Sequence, residues 1–279
     1  MRWVYNNINE VINMKIGMRA NRPFIITDEQ HGQTVLNAKT VLEALHMPAA
    51  DRQLGSLETF APQELAAPIT APRQIFAVGM NYRDHSAEIH ITLPKVPSIF
   101  TKFSSSLAPA NVTVATHGPE TDWETELVVM IGKGGRDIAT ADAMAHVAGV
   151  MVGEDLSDRA VQFENDNPQF SIGKSFENYA PVGPWLTTVD ELANLDDEVI
   201  TTTVNGQTMQ QAPLSQLIFK VPDLVHYLST VCELQPGDLI FTGTPSGTGV
   251  GRNPQVFLQA GDQLCGQITH LGTLNITIK

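Results

Sequence analysis

The stretch Asp122-Trp123-Glu124-Thr125-Glu126-Leu127-Val128-Val129-Met130-Ile131 constrains this chain more than any other. Its last five residues are apolar without interruption. As a strand they would be buried on both faces, which places them inside a layered, sheet-based domain. Residues two apart on a strand share a face, so Glu124 and Glu126 project together from the mouth of that segment, their Cβ atoms about 7 Å apart. Two such carboxylates repel each other unless a cation lies between them. An ordinary E-x-E pair lies on the solvated face of an edge strand, but the doubly buried continuation argues against that here. Oxygen-only ligands favour magnesium, manganese or calcium over zinc.

A second acidic group ends the next apolar run, in Gly153-Glu154-Asp155-Leu156-Ser157-Asp158-Arg159. Neighbours on a strand face opposite ways, so Glu154 and Asp155 cannot both serve one site, and these residues alone do not choose between them. A turn with a helix cap at Ser157 is compatible with either. In Asn81-Tyr82-Arg83-Asp84-His85-Ser86-Ala87-Glu88, a helical turn from Arg83 would bring His85 and Glu88 together at i and i+3. A carboxylate bonded to imidazole orients the ring and raises its basicity, as a general base requires. His-x-x-Glu is more commonly a surface pair; it gains weight here by following a buried strand and a glycine, where loops carry function.

Lys174, in Gly-Lys-Ser-Phe, can neutralise a carboxylate or an enolate, although a single lysine is more often a solvated charge. Thr242-Gly243-Thr244-Pro245 follows a short apolar run and offers N–H groups and a hydroxyl to an anion, or is simply a tight turn. Gly-Lys-Ser at 173–175 is no phosphate loop, because Pro168 stands where the upstream glycine belongs. Gly247-x-Gly249-x-Gly251 runs into Arg252-Asn253-Pro254, a poor helix start for a dinucleotide fingerprint.

The rest of the chain frames these segments. Its 279 residues suit one large domain with a small one, divided at 1–70 and 71–279, with Pro62, Pro68 and Pro72 in the run between them. Strand patterns are expected at Arg22 to Thr27, Ile75 to Val78, Glu126 to Ile131, Val147 to Val152, Glu198 to Val204, Leu239 to Thr242 and Gln263 to Ile268. Helical patterns are expected at Val35 to Leu45, Leu214 to Ile218 and Pro222 to Val231. This is a mixed α/β, β-dominated chain with peripheral helices. A net charge of −13 disfavours nucleic acid and anionic membranes. No run approaches the ~20 apolar residues of a membrane span. Cys232 and Cys265 read as separate buried thiols, Met1 to Gly17 lacks the apolar run of a signal peptide, and Met14 is an alternative start. A soluble, cytosolic protein is the expectation.

Taken in order, Asn-Tyr-x-x-His-x-x-Glu (81–88), Asp-x-Glu-x-Glu-Leu…Ile-Gly (122–132), Asp155 with Ser157 and Arg159, Gly-Lys-Ser-Phe (173–176) and Pro-Gly-Asp-Leu-Ile-x-Thr-Gly-Thr-Pro (236–245) resemble the fumarylacetoacetate hydrolase family. The likeness covers roughly residues 72 to 279, in the group of acylpyruvate hydrolases, oxaloacetate decarboxylases and 2-hydroxyhepta-2,4-diene-1,7-dioate isomerases. It implies a rolled, mostly antiparallel β-structure, usually a homodimer, that takes a small 2-oxo acid. It implies Glu124, Glu126 and Asp155 as ligands of Mg2+ (or Mn2+ or Ca2+), which chooses Asp155 over Glu154. It implies His85, Glu88 and Lys174 as catalytic groups, and Tyr82, Arg159, Gln162, Gly243 and Thr244 as substrate contacts. The chain departs from many relatives at Ala160, where an acid is common, and at Glu154, where asparagine is. The expected activity is metal-dependent C–C hydrolysis of acylpyruvate-like 1,3-dicarbonyl acids. The alternatives are oxaloacetate decarboxylation or 2-oxo-dienoate isomerisation and hydration at the same site, or metal and ligand binding without catalysis.

Overall fold

The computed structural model describes residues 14–83 and 94–279. Among these the strands are, in chain order, β1 (Lys15–Arg19), β2 (Arg22–Ile26), β3 (His31–Val35), β4 (Leu54–Thr59), β5 (Leu65–Ala66), β6 (Ile75–Gly79) and β7 (Ser98–Thr101). Next come β8 (Leu107–Pro109), β9 (Asn111–Val114), β10 (Thr121–Asp122), β11 (Thr125–Ile131), β12 (Val147–Glu154), β13 (Ser157–Asp158) and β14 (Ala180–Thr187). The last are β15 (Val199–Val204), β16 (Gln207–Pro213), β17 (Leu239–Phe241), β18 (Gln263–Ile268) and β19 (Gly272–Ile278). The helices are short: α1 (Val41–His46), α2 (Arg159–Gln162), α3 (Phe170–Gly173) and α4 (Val221–Val231).

The large sheet runs β4-β3-β2-β1-β14-β12-β11-β17-β6-β7, with β5 added to β1 and β8 to β14. A second sheet, β16-β15-β18-β19-β9, packs on β11, β12 and β14. Most pairings are antiparallel; β14–β8, β17–β6 and β19–β9 are parallel. The expected mixed, β-dominated, mostly antiparallel architecture with peripheral helices is what the chain adopts.

Strand β11 shows why the apolar run reads as it does. Leu127, Val129 and Ile131 enter the core shared with the second sheet, while Val128 and Met130 enter the core on the opposite face with Val41, Ala44 and Leu45 of α1. Both faces are dry, so no alternation of polar residues survives. Glu126 pairs in register with Gly153 of β12. A Cβ at Gly153 would lie 2.3 Å from Val128 Cγ2 and 2.9 Å from Phe241 Cε1, so only glycine lets the strands close there.

Several local expectations shift. Val35 ends β3, and the helix starts later because the Thr40 hydroxyl accepts from Glu43 N–H at 3.1 Å, capping α1. The segment expected to be helical from Leu214 is a single 3-10 turn, Leu214–Gln216, after which Leu217 bridges to Tyr82. The proline-rich stretch contains another 3-10 turn and β5, which pairs with β1. Strand β1 in turn pairs with β14, Ile16 opposite Leu186.

Candidate active site

The expected acidic cluster forms where β11 and β12 emerge from the core. One carboxylate oxygen from each of Glu124, Glu126 and Asp155 lies within 4.8 Å of the others, and all three residues are buried. Adjacent pairing sets this geometry: Thr125 stands opposite Glu154, and Asp155 N–H donates to the Glu124 carbonyl at 2.8 Å. Asp155 therefore faces the glutamates while Glu154 turns away, its carboxylate accepting from Glu124 N–H at 2.6 Å and the Thr125 hydroxyl at 2.8 Å.

Cations surround two of the three carboxylates. Lys174 Nζ donates to Glu124 at 2.7 Å, Asp155 at 2.8 Å and the Ser157 hydroxyl at 2.7 Å. Lys102 Nζ donates to the other Asp155 oxygen at 2.5 Å and to the Lys174 carbonyl. Arg159 reaches Glu124 at 2.6 Å through Nη2, Asp122 at 2.8 Å through Nε, and the Gln162 side-chain oxygen at 2.8 Å through Nη1. Asp122 also accepts N–H bonds from Gly249 and Val250, which gives the glycine loop a role holding a protein carboxylate.

These surroundings drive the charges apart. Burial opposes ionisation of Glu124, but Lys174 and Arg159 outweigh it and hold the carboxyl at about 2. Glu126 is pushed the other way, well above the usual carboxylate range, by burial and then by the charges of Asp155 and Glu124. Its direct donor is Gly243 N–H at 2.7 Å, and among the described residues no lysine or arginine lies within ion-pair distance of it. Burial lowers Lys102, whereas Lys174 is raised because Asp155 and Glu124 overcome its burial. Three convergent oxygens, one of them lacking a cationic partner among the described residues, fit a hard divalent ion, whose opposite ligands stand about 4–5 Å apart.

The family model described as fumarylacetoacetate (FAA) hydrolase C-terminal matches residues 74–279. The chain belongs to the fumarylacetoacetate hydrolase family. Within it, the chain is 43% identical over 210 residues to a mitochondrial oxaloacetate tautomerase of Bos taurus, covering 75% of this chain and 67% of that protein. A solved structure from Mycobacterium smegmatis is 41% identical with a TM-score of 0.87, covering 95% of this chain and 99% of that one. A fumarylpyruvate hydrolase from Pseudomonas aeruginosa, solved with Mn2+ and pyruvate, is 33% identical with a TM-score of 0.67, covering 80% and 92%. This family member carries a metal-coordinating site of the kind that processes 2-oxo acids, and it is an enzyme. The cytosolic expectation is overturned: the bovine protein and relatives of similar identity from Homo sapiens and Xenopus laevis are mitochondrial. An acidic composition suits either compartment and could not separate them.

The fold brings together Glu124, Glu126, Asp155, Lys174, Arg159, Gln162, Gly243 and Thr244 around one centre. Tyr82 is fully buried, and its hydroxyl is raised by burial and by the charge of Glu126, which places it beside the cluster. His85 and Glu88 lie outside the described residues. The Thr244 hydroxyl donates to the Thr125 carbonyl at 2.8 Å, so its proton has a partner within the protein. Sequence reasoning missed Lys102. Its only signal is a lone lysine between Phe100 and Phe103 just past the end of β7, and its exposed neighbours Thr101 and Phe103 make it look like a surface charge.

Proposed function

We propose that this chain is a divalent-metal-dependent enzyme that interconverts the keto and enol forms of a small 2-oxo diacid such as oxaloacetate. The observation that carries the reading is the trio of buried carboxylates, two of them paired with Lys102, Lys174 and Arg159 and the third, Glu126, without such a partner among the described residues. Likeness to the tautomerases favours proton transfer over the hydrolysis expected from the sequence. Held by Glu124, Glu126 and Asp155, Mg2+ or Mn2+ would act as a Lewis acid toward the 2-oxo oxygen and acidify the neighbouring C–H. Lys174, held charged by Glu124 and Asp155, faces negative charge as it develops on that oxygen. The 243–245 turn receives the substrate carboxylate. By family resemblance, His85 with Glu88 would supply the base that carries the proton between carbon and oxygen, so no σ bond other than C–H and O–H is made or broken.

The enol's ultraviolet absorbance tests this directly. Oxaloacetate ketonisation should accelerate with Mn2+ and return to the buffer rate with chelator. Cleavage of an acylpyruvate outpacing it, or no acceleration at all, would overturn the reading. By family resemblance the enzyme pairs as a homodimer, for which sedimentation equilibrium should give about twice the 30.3 kDa chain mass. A monomer at micromolar concentration would remove that part.

A further inference from the structure

We propose that Gln210, a residue of the second sheet, is a positioning residue that sets the Thr244 hydroxyl and the 243–245 turn for a substrate carboxylate. The proposal rests on the 2-oxo acid reading above. Gln210 lies on β16 and is 1% exposed. Its Nε2 donates to Thr244 Oγ1 at 2.8 Å and to the Pro245 carbonyl at 2.7 Å, and its Oε1 lies 2.8 Å from Thr202 Oγ1. These partners fix the amide: flipped, its oxygen would face the Pro245 carbonyl oxygen.

The Thr244 hydroxyl has one proton to give. Because Gln210 already donates to its oxygen, that proton cannot turn back toward Gln210. It rests on the Thr125 carbonyl at 2.8 Å and is available to an anion that displaces this bond. The neighbouring Gly243 N–H is fixed to Glu126 at 2.7 Å, so the turn that Gln210 grips also touches one of the three convergent carboxylates. Thr202 Oγ1 also lies 2.7 Å from Thr125 Oγ1, which is 2.8 Å from Glu154 Oε2. A buried polar brace thus runs from β16 through β15 and β11 to β12, and Gln210 is where it meets the substrate side.

Calorimetric titration of the Mn2+-loaded protein with pyruvate tests this in wild type, Gln210→Met, Thr244→Val and the double variant. Gln210→Met should weaken pyruvate about tenfold, the loss of one oriented hydrogen bond, while Mn2+ affinity holds. Thr244→Val should lose a similar factor, and the double variant no more than the larger single loss, because one residue acts through the other. Gln210→Glu keeps the shape but turns the Thr244 proton onto the new carboxylate; it should also weaken pyruvate, and it decides the matter if Gln210→Met does not fold. A merely structural glutamine would lower the melting temperature and leave pyruvate affinity untouched. Undiminished pyruvate binding in a folded Gln210 variant, or losses that multiply in the double variant, overturns the proposal alone. If wild type with Mn2+ binds no pyruvate, the 2-oxo acid reading falls and this inference falls with it.

Discussion

Glu124 and Glu154 touch through one hydrogen bond, yet they sit in opposite electrostatic states. Glu124 lies between two cations, whereas the donors to Glu154 are a hydroxyl and an amide. Burial pushes Glu154 up to about 8 despite those donors. The folded chain therefore keeps a proton that the unfolded chain releases above about pH 4.3. Since the folded state binds the extra proton, stability is full at the acidic end of that window and is lost as pH rises toward 8. Glu154→Gln preserves shape and removes the titration. In urea unfolding without metal between about pH 5.5 and 8.5, wild type should lose on the order of 3 kcal/mol relative to the variant. Parallel pH dependence of the two proteins would show that Glu154 is ionised in the fold.

At the level of elements, what could be read from the sequence depends on whether a strand carries its own pattern. β11, β12 and β17 are visible as short apolar runs because they lie in the protein's interior, and β18 by its alternation of buried and exposed residues. β14 is as buried as β12, but Pro181, Gly183 and Pro184 punctuate it, and prolines within a run argue against a strand. β16 is largely polar, Gln-Thr-Met-Gln-Gln-Ala-Pro, since much of its length is exposed. The Asn205-Gly206 turn before it was the available signal for a hairpin. The glutamate pair was legible because its spacing is local, two residues apart on one strand; Asp155, just beyond the paired strand, was chosen over Glu154 only through the family resemblance. Lys102 and Gln210 reach the same place from distant parts of the chain through tertiary contacts. No sequence period encodes such convergence, and single lysines and glutamines usually lie on surfaces.

Over the whole molecule, the site trades stability for metal binding. Glu126 sits buried beside two other carboxylates, and no described lysine or arginine pairs with it. Without metal this arrangement works against the fold, because burial and like charge both penalise the ionised form. Metal binding only to the folded state reverses the sign by mass action, adding about 2.7 kcal/mol when free metal is a hundredfold above its dissociation constant. For a chain of this size that corresponds to a rise of roughly 5–10 °C in melting temperature. Glu126→Ala removes both effects. In chelator at neutral pH the variant should melt at or above wild type, the cavity left by the side chain offsetting part of the gain. With saturating Mn2+ the order should invert, because wild type rises and the variant does not. Scanning calorimetry of both proteins, with and without Mn2+, reads all four values. A variant that keeps the metal-induced rise would show that Glu126 is not a ligand, and a large loss of stability in chelator would show that its carboxylate supports the fold.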